Sequence, residues 1–308
     1  MSGLTRYGDF WGRIPETAGR VYWVAPSASY TVAGKAYSAS DGNDGLDPRR
    51  ALVTVDAAWN LVTADAGDVI VLLPGTHSPS ASIAADVAGV TMMGLPAGKG
   101  NVLKQKTTIG AVTGDQNVNV TAANIEIAYL NFIPVTADTA IDFSAAADSL
   151  HVHHCSFDMA TPAASTGTIG IEALGAASNV LIDNCYFESD GAQGPGIVGL
   201  SIIDSVIEDC TFALSAGTWA AALSTGASVD RLFIRRCYFY CSGTAITVGI
   251  LGTTGGAASA VFIHDCRFGD LVTKGVDTFD AATAEISECY DFGVGAGADG
   301  GILIVDIT

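Results

Sequence analysis

The amino-acid sequence predicts an all-β fold, a right-handed parallel β-helix solenoid of about nine coils. A short phrase ending in Cys-x-Phe recurs along the chain, its apolar residues change parity once in each copy, and stretches rich in Gly, Ser and Thr separate the copies. Six cysteines mark the repeat, because Cys155 and Cys289 are separated by 134 residues in five intervals, a mean of 26.8 residues. The segment from Asp68 to Thr308 has room for about nine such coils.

The recurring phrase has apolar residues at two alternate positions, then a polar residue, then the cysteine and, two residues later, phenylalanine. A leucine-rich repeat has a similar period, but its Leu-x-x-Leu-x-Leu frame is missing from this sequence. The copies are Asn179–Phe187, Asp204–Phe212, Arg231–Phe239 and Ala260–Phe268, with looser versions at Ser149–Phe157 and Ala284–Cys289, and with Leu in place of Cys at Asn124–Phe132 and Val90–Leu95.

The parity of the phrase predicts a sharp corner. Apolar residues at positions −5 and −3 from the cysteine share one parity, whereas the cysteine and the phenylalanine share the other. Because side chains of a straight strand alternate strictly between its faces, the chain must turn just before the cysteine. Asn, Asp and His, which tolerate left-handed backbone, recur there. The predicted corner residues are His154, Asn184, Asp209, Arg236, Asp265 and Glu288.

The cysteines are predicted to stack inside the solenoid as small apolar residues with reduced thiols. Six of the seven occupy one slot of the repeat, and Cys241 keeps the same inward parity. Neither a disulfide nor a redox role is needed to explain them. The predicted core column is Leu95, Leu130, Cys155, Cys185, Cys210, Cys237, Cys266 and Cys289.

Three segments are predicted along the chain: a docking arm at 1–34, an entrance loop with a capping helix at 35–67, and the parallel β-helix at 68–308. The capping helix spans Thr54–Ala64, with Val55, Trp59 and Val62 on one face and Thr54 as N-cap. Such a helix would cover the open end of the first coil.

The arm combines aromatic and basic residues, which are enriched at protein interfaces. We expect it to dock onto a partner, and the alternative is that it packs along the flank of the β-helix. The candidate docking residues are Tyr7, Phe10, Trp11, Arg13, Tyr22 and Trp23.

Composition excludes some functions. The formal net charge is −18, but only 15% of residues are charged and 49% are hydrophobic, unlike a disordered chain. An acidic surface repels polyanions, so no nucleic-acid partner is expected. The first 20 residues lack the apolar core of a signal peptide. The uncharged segment Cys241–Ile263 is rich in Gly and Thr and spans a repeat boundary, so it is not predicted to cross a membrane.

The segments Tyr37–Pro48 and Ala66–Thr76, with the helix between them and the Asn-Val-x-Ile-x-Asn-Cys-x-Phe coils that follow, resemble the pectate-lyase-like β-helix superfamily. The resemblance covers about residues 35–308 and is specific for the fold. The superfamily includes polysaccharide lyases, glycosidases, tailed-phage tailspikes and non-enzymatic virion proteins, so the resemblance alone does not decide function. The N-terminal region resembles the phage members more than the secreted lyases.

Outward-facing carboxylates on successive coils are the pattern that cleavage of a carbohydrate would need. Asp183 and Glu208 occupy equivalent positions on neighbouring coils, about 5 Å apart, which is near the spacing of a retaining glycosidase. Arg235 follows on the next coil. The alternative is an ion pair between Glu208 and Arg235. The calcium-binding Asp cluster of the superfamily's lyases and the paired Asp of its glycosidases are not found in this sequence.

Two clusters invite a metal interpretation. His151, His153 and His154 form a His-x-His-His motif, but a third ligand is not identifiable, and a solvated strand face with a corner residue explains the motif. An acidic loop carries oxygen ligands at short spacing, yet turn chemistry explains the same residues. We therefore predict no cofactor. The loop residues are Asp41, Asn43, Asp44 and Asp47.

The favoured hypothesis is a non-enzymatic structural protein of a tailed-phage particle: a homotrimeric capsid decoration, head fibre or spike, made in the host cytoplasm and placed on the virion surface. Its expected partners are copies of itself, a major capsid or tail protein, and a host surface glycan. Loops at 161–168, 189–196 and 252–259 would face the host or the medium. The alternatives are a tailspike-type polysaccharide depolymerase and a glycan-binding module.

Overall fold

The computed structural model confirms the all-β class and the right-handed parallel β-helix. Each coil contributes one strand to each of three parallel sheets, because a turn of the chain places residues about one repeat apart side by side. The structure describes residues 19–95, 105–110, 112, 115–134, 138–159, 168–189, 196–215, 218–226, 229–241, 245–252, 259–269, 272–277, 284–291 and 301–302.

Sheet 1 has 11 strands and contains the first half of each recurring phrase. Its strands are β1 Val21–Val24, β4 Val69–Leu72, β7 Thr91–Gly94, β10 Glu126–Ala128, β13 His151–His153, β16 Ala177–Ser178, β17 Leu181–Asp183, β20 Ile202–Glu208, β23 Asp230–Arg235, β26 Ser259–His264 and β29 Ala284–Ser287.

Sheet 2 has 10 strands and begins after the corner. Its strands are β5 Gly75–His77, β8 Thr107–Ile109, β11 Asn131–Phe132, β14 Ser156–Asp158, β18 Tyr186–Ser189, β21 Thr211–Leu214, β24 Tyr238–Cys241, β27 Arg267–Phe268, β30 Tyr290–Asp291 and β31 Gly301–Ile302, the last of which is antiparallel to β30.

Sheet 3 has 8 strands and closes each coil. Its strands are β6 Ile83–Ala85, β9 Val118–Val120, β12 Thr139–Phe143, β15 Ile169–Ala173, β19 Ile197–Leu200, β22 Thr218–Thr225, β25 Ala245–Leu251 and β28 Val272–Asp277. A separate antiparallel hairpin consists of β2 Ser29–Val32 and β3 Lys35–Ser38, and the helix α1 is Val55–Trp59.

The number of complete coils is smaller than predicted. Eight coils have a strand in all three sheets, from β4–β6 to β26–β28, rather than about nine. A further turn provides β29 and β30 but no strand of sheet 3 among the described residues. The mean repeat length therefore predicts about one coil more than the described residues complete.

The six coils that begin with β10, β13, β17, β20, β23 and β26 turn through left-handed backbone at two places. The predicted corner residues all have positive φ, between 49° and 53°, which confirms the corner before the cysteine. A second set, five residues earlier, begins the recurring phrase and has φ between 50° and 59°. This second set was not predicted from the sequence; its members are Asn124, Ser149, Asn179, Asp204, Arg231 and Ala260.

The interior is a stack of equivalent side chains. Successive phenylalanine rings from Phe132 to Phe268 lie with centroids 4.5–5.3 Å apart. All seven cysteines are buried and free, as predicted. Each thiol of the column donates to nearby backbone carbonyls, as Cys155 Sγ does to His153 O at 3.3 Å. The column thus satisfies its weak donors without disulfides.

Leu95 departs from the predicted column. It is buried, but it packs with Trp23 and Met93 in a second apolar cluster rather than in the interior with Leu130. The reason is local: Gly94, which takes the corner position, does not have positive φ. Without the left-handed corner the strand keeps alternating, so Leu95 faces the same side as Met93.

Within the segment predicted as a docking arm, the described residues 19–34 include strand β1 and part of the β2–β3 hairpin. Strand β1 pairs in parallel with β4 and extends sheet 1 by one strand. Thr54 is the N-cap of α1 and accepts a hydrogen bond of 3.2 Å from Ala57 N, as predicted, although the helix ends at Trp59 rather than Ala64. Val55 and Trp59 are buried in the solenoid core, where they cover the first coil.

Candidate functional site

The docking residues that the structure describes are not exposed. Tyr22 is 3% exposed to solvent and packs in the solenoid core. Trp23 is 2% exposed and packs against residues of the β2–β3 hairpin. A side chain buried in the same chain cannot anchor a partner, so the flank-packing alternative applies to these two residues. The remaining docking residues, Tyr7, Phe10, Trp11 and Arg13, lie outside the described part of the chain. So does most of each loop that is predicted to face the host, at 161–167, 190–195 and 253–258.

The acidic loop uses its oxygen atoms within the fold. Asp41 accepts hydrogen bonds of 2.9 Å from the backbone N of Val53 and of Thr54, and from Thr54 Oγ1. Hydrogen bonds from Arg49 hold the pKa of Asp47 below its usual value. The other contacts are an ion pair of 2.8 Å between Asp44 and Arg50, and a hydrogen bond of 2.9 Å from Asn43 Nδ2 to Ala51 O. Turn chemistry thus accounts for the loop better than a calcium shell does.

Asp183 and Glu208 lie in register on neighbouring coils, but each is bound elsewhere. Burial by itself would raise the pKa of Asp183. Hydrogen bonds from His151 and Asn184 outweigh that effect, so the pKa lies below its usual value. Glu208 Oε2 accepts a hydrogen bond of 2.5 Å from Arg235 Nε, which makes the predicted alternative, an ion pair, the observed arrangement. Both carboxyl groups are therefore engaged in contacts within the fold.

The histidine motif meets a carboxylate that the sequence analysis did not connect with it. Glu126 lies on the preceding coil, and its Oε1 is 2.8 Å from His153 Nε2. The hydrogen bond from His153 is the main reason that the pKa of Glu126 is below its usual value. His151 Nε2 is 2.6 Å from Asp183 Oδ1. Glu126 and His153 are 27 positions apart in the sequence, so only the register of the coils brings them together.

The outer face of sheet 2 carries a group of tyrosines, which we call the tyrosine face: Tyr186, Tyr238 and Tyr240. Rings of Tyr238 and Tyr240 stack with centroids 5.3 Å apart, and the hydroxyl groups of Tyr186 and Tyr240 are 3.4 Å apart. The small residues Thr211 and Ala213 occupy the coil between them. The result is a shallow aromatic surface, on which Tyr238 remains 42% exposed.

A groove lies beside the tyrosine face, at the corner between sheets 1 and 2. It has a volume of about 480 Å³, and its lining includes Arg236, Tyr238, Asp265 and Arg267. Arg236 is paired with Glu208 and Asp209, whereas Arg267 has no ion pair within the described residues. Aromatic, cationic and anionic side chains therefore meet in one place.

Sheet 3 carries the only strongly perturbed carboxyl among the described aspartates and glutamates. Asp142 in β12 pairs in register with Glu172 in β15. Burial, followed by the negative charge of Glu172, raises the pKa of Asp142 to about 6. Asp142 Oδ1 is buried without a hydrogen-bond partner. The sequence signal was an acidic residue between inward apolar residues, Ile-Asp-Phe in one strand and Ile-Glu-Ala in the next.

The fold defines a class, the right-handed parallel β-helix proteins, and comparisons with known proteins agree. No family model and no curated protein matches the chain. Among solved structures, the pectin methylesterase from Aspergillus niger is 16% identical with a TM-score of 0.57, over 95% of this chain and 93% of that one. A rhamnogalacturonan lyase is 12% identical with a TM-score of 0.50, over 94% and 90%. Likeness at this identity establishes the fold alone.

A viral protein, Geobacillus virus E2 ORF18, is also similar, with 12% identity over 78% of this chain and 57% of that one. Its TM-score of 0.31 is too low to support an argument. Among the described residues, no helix is long and apolar enough to span a membrane.

Proposed function

We propose that the protein is a non-enzymatic attachment protein of a tailed-phage particle, a homotrimeric spike, head fibre or capsid decoration whose solenoid binds a surface polysaccharide. The observation that carries the binding role is the tyrosine face with its adjoining groove. The exposed Tyr238 ring lies on a rigid sheet beside the half-buried Tyr186 and Tyr240, and an apolar patch of this kind with a polar rim is typical of a recognition site.

The chemistry of the tyrosine face suits a sugar chain. A pyranose ring has an apolar face of C–H groups that packs on an aromatic ring, and a rim of hydroxyl groups that needs donors and acceptors. Tyr238 provides the exposed ring, while Arg267 and Asp265 beside it provide a donor and an acceptor. Because equivalent positions recur at each coil, the face is extended along one direction, as a polymer requires.

Retention of polysaccharide tests this binding role. The full chain is passed over immobilised host capsule or lipopolysaccharide, and we expect Tyr238→Ala to reduce retention about tenfold or more. Phe233→Ala is the matched control, since Phe233 is 40% exposed on the outer face of sheet 1, away from the groove. Equal losses in the two variants, or no retention of any host polysaccharide by the native chain, would reject the binding role.

The virion location and the trimer rest on the sequence resemblance and on the composition. Low charge and abundant Ala and Gly leave flanks that are suited to contact with other copies of the chain. Quantitative mass spectrometry of purified particles tests the location, and light scattering of the purified chain tests the trimer. A monomer that is absent from particles would overturn this part of the proposal.

A second candidate function is cleavage of a polysaccharide at sheet 3. It is favoured by Asp142, whose pKa of about 6 lets it hold a proton beside the carboxyl group of Glu172 on the next coil. Glycoside hydrolysis uses such a pair of carboxyl groups. If the chain is a depolymerase, it releases reducing ends from the polymer and loses this activity in Asp142→Asn but not in Asp183→Asn. The two similar enzymes are named for rhamnogalacturonan and pectin, which are polysaccharides.

A further inference from the structure

Two histidines and a glutamate bring their ligand atoms together on the outer face of sheet 1. His151 and His153 are two residues apart in β13, so both project from the same face. Their rings are stacked with centroids 4.3 Å apart. One ligand atom from each of Glu126, His151 and His153 lies within 4.8 Å of the other two, and no other group of this kind occurs in the described part of the chain.

The carboxylates around the histidines are held in place. Thr91 Oγ1 donates a hydrogen bond of 2.9 Å to Glu126 Oε2, which leaves Oε1 directed at His153 Nε2. Asp183 Oδ1 approaches His151 Nε2 in the same way. Each imidazole therefore meets a carboxylate oxygen at hydrogen-bond distance, 2.6–2.8 Å, and these contacts fix the orientation of both rings. In metal sites, hydrogen bonds from neighbouring residues to the ligands, such as that from Thr91 to Glu126, fix the ligand orientation.

The neighbouring His154 can set the tautomer of His153. The Nδ1 atoms of the two rings are 2.9 Å apart, so one of them must donate to the other. A cation that binds His153 Nε2 takes the place of the proton which that atom donates to Glu126 Oε1, and the ring then keeps its proton on Nδ1, facing His154.

We propose that Glu126, His151 and His153 bind a divalent transition metal ion, with zinc as the expected occupant. Two imidazoles and one carboxylate form a ligand set that zinc accepts at distances of about 2.1 Å. Tetrahedral binding at that distance requires ligand atoms about 3.4 Å apart, so the 2.8 Å contact between Glu126 and His153 must open slightly while the wider separations, up to 4.8 Å, close. Glu126 and His151 are about one-third exposed, which leaves the fourth position open to water.

The site goes beyond the proposed attachment function, because it lies on sheet 1 and shares no residue with the tyrosine face. Its ligands come from two successive coils, Glu126 from β10 and both histidines from β13. A bound ion would therefore join the coils. By mass action, an ion that binds only the folded chain stabilises it by about 2.7 kcal/mol at 100 times its dissociation constant.

Titration of the tag-free, chelator-treated chain with ZnCl2 tests the site by calorimetry, and CoCl2 provides a visible spectrum that reports ligand geometry. We expect one ion per chain, a rise in the melting temperature, and intense tetrahedral cobalt bands between about 500 and 650 nm. His153→Ala and the conservative Glu126→Gln should each weaken binding at least tenfold. His264→Ala, a change of an exposed histidine on the same face, should leave binding unchanged.

Two results would overturn the metal site. One is the absence of saturable zinc or cobalt binding by the native chain. The other is unchanged binding in the double variant His151→Ala/His153→Ala. Glu126→Gln keeps the size and a hydrogen-bond acceptor, so it gives an answer even where removal of both histidines disturbs the coil. Circular dichroism of each variant checks that the solenoid is folded.

Discussion

Asp142 and Glu172 are partners in register on neighbouring coils of sheet 3, and the buried Asp142 holds its proton up to a pH of about 6. Parallel coils repeat the same position every turn, so one acidic residue per coil is enough to place two carboxyl groups side by side. The ordinary pKa of an aspartate is 3.8, so the folded state binds this proton more tightly than the unfolded state.

This difference predicts a pH dependence of stability. Between about pH 4 and pH 6 the folded chain holds a proton that the unfolded chain has lost, so the stability contributed by Asp142 falls as pH rises. Asp142→Asn cannot ionise, and we expect it to be more stable than the native chain above pH 6, by about 2–3 kcal/mol at most. Melting curves from pH 4 to pH 8 measure this. Parallel curves for the two proteins would contradict it, and Glu172→Gln should give part of the gain.

The close approach of coils at Gly170 predicts a position that tolerates no side chain. A Cβ at Gly170 would lie 2.4 Å from Gly196 O and 2.8 Å from Phe187 Cδ1. Gly170→Ala must therefore move the backbone or the phenylalanine stack, and we expect a loss of about 1–3 kcal/mol. Chemical denaturation measures the change. Gly42→Ala is the control, because its nearest neighbour would be Ser40 Oγ at 3.5 Å.

The second set of corners predicts a stabilising substitution. Ala260 has a φ of 55°, a conformation that costs an L-residue with a Cβ about 1–2 kcal/mol. Ala260→Gly removes this strain, although glycine adds entropy to the unfolded chain, so we expect a gain of about 0.5–1 kcal/mol. Ala213→Gly, a change within β21, should instead destabilise the chain. Equal losses in the two variants would show that the corner at Ala260 is not strained.

The cysteine column predicts thiols that do not react in the folded protein. Burial raises the pKa of Cys185, Cys210 and Cys237 well above the usual value, so these thiols stay protonated at neutral pH. Since the thiolate is the reactive form, a colorimetric thiol reagent should label none of the seven within minutes and all of them after unfolding. Rapid labelling of the native chain would contradict this prediction.

The repeat was readable because its physical causes are local. A parity change around the cysteine requires a corner, and residues such as Asn184 and Asp265 adopt it, so strands, corner and inward column follow from a few adjacent residues. The error at Leu95 has the same origin. Gly94 permits a left-handed corner but does not require one, so the pattern there did not decide which side Leu95 faces.

The candidate sites were less accessible to sequence reasoning. Glu208 and Arg235 occupy the same position of the repeat on neighbouring coils. Their ion pair was therefore predicted as the alternative to a catalytic pair of Asp183 and Glu208. Glu126 and His153 occupy different positions of the repeat, and they meet diagonally between strands. The tyrosine face was not predicted, because Tyr186 lies two coils from Tyr238 and Tyr240. The coil between them carries only the small residues Thr211 and Ala213 at these positions, so no tyrosine repeats from coil to coil.

The sequence by itself determined the fold class, the inward cysteine column and the N-cap at Thr54, because each depends on alternation or on contacts between near neighbours. Only the tertiary structure decided that Tyr22 and Trp23 are buried, that Asp142 holds a proton beside Glu172, and that Glu126 joins the two histidines. The physical reason is register: coils of unequal length shift which residues lie side by side, and burial and electrostatics depend on those neighbours.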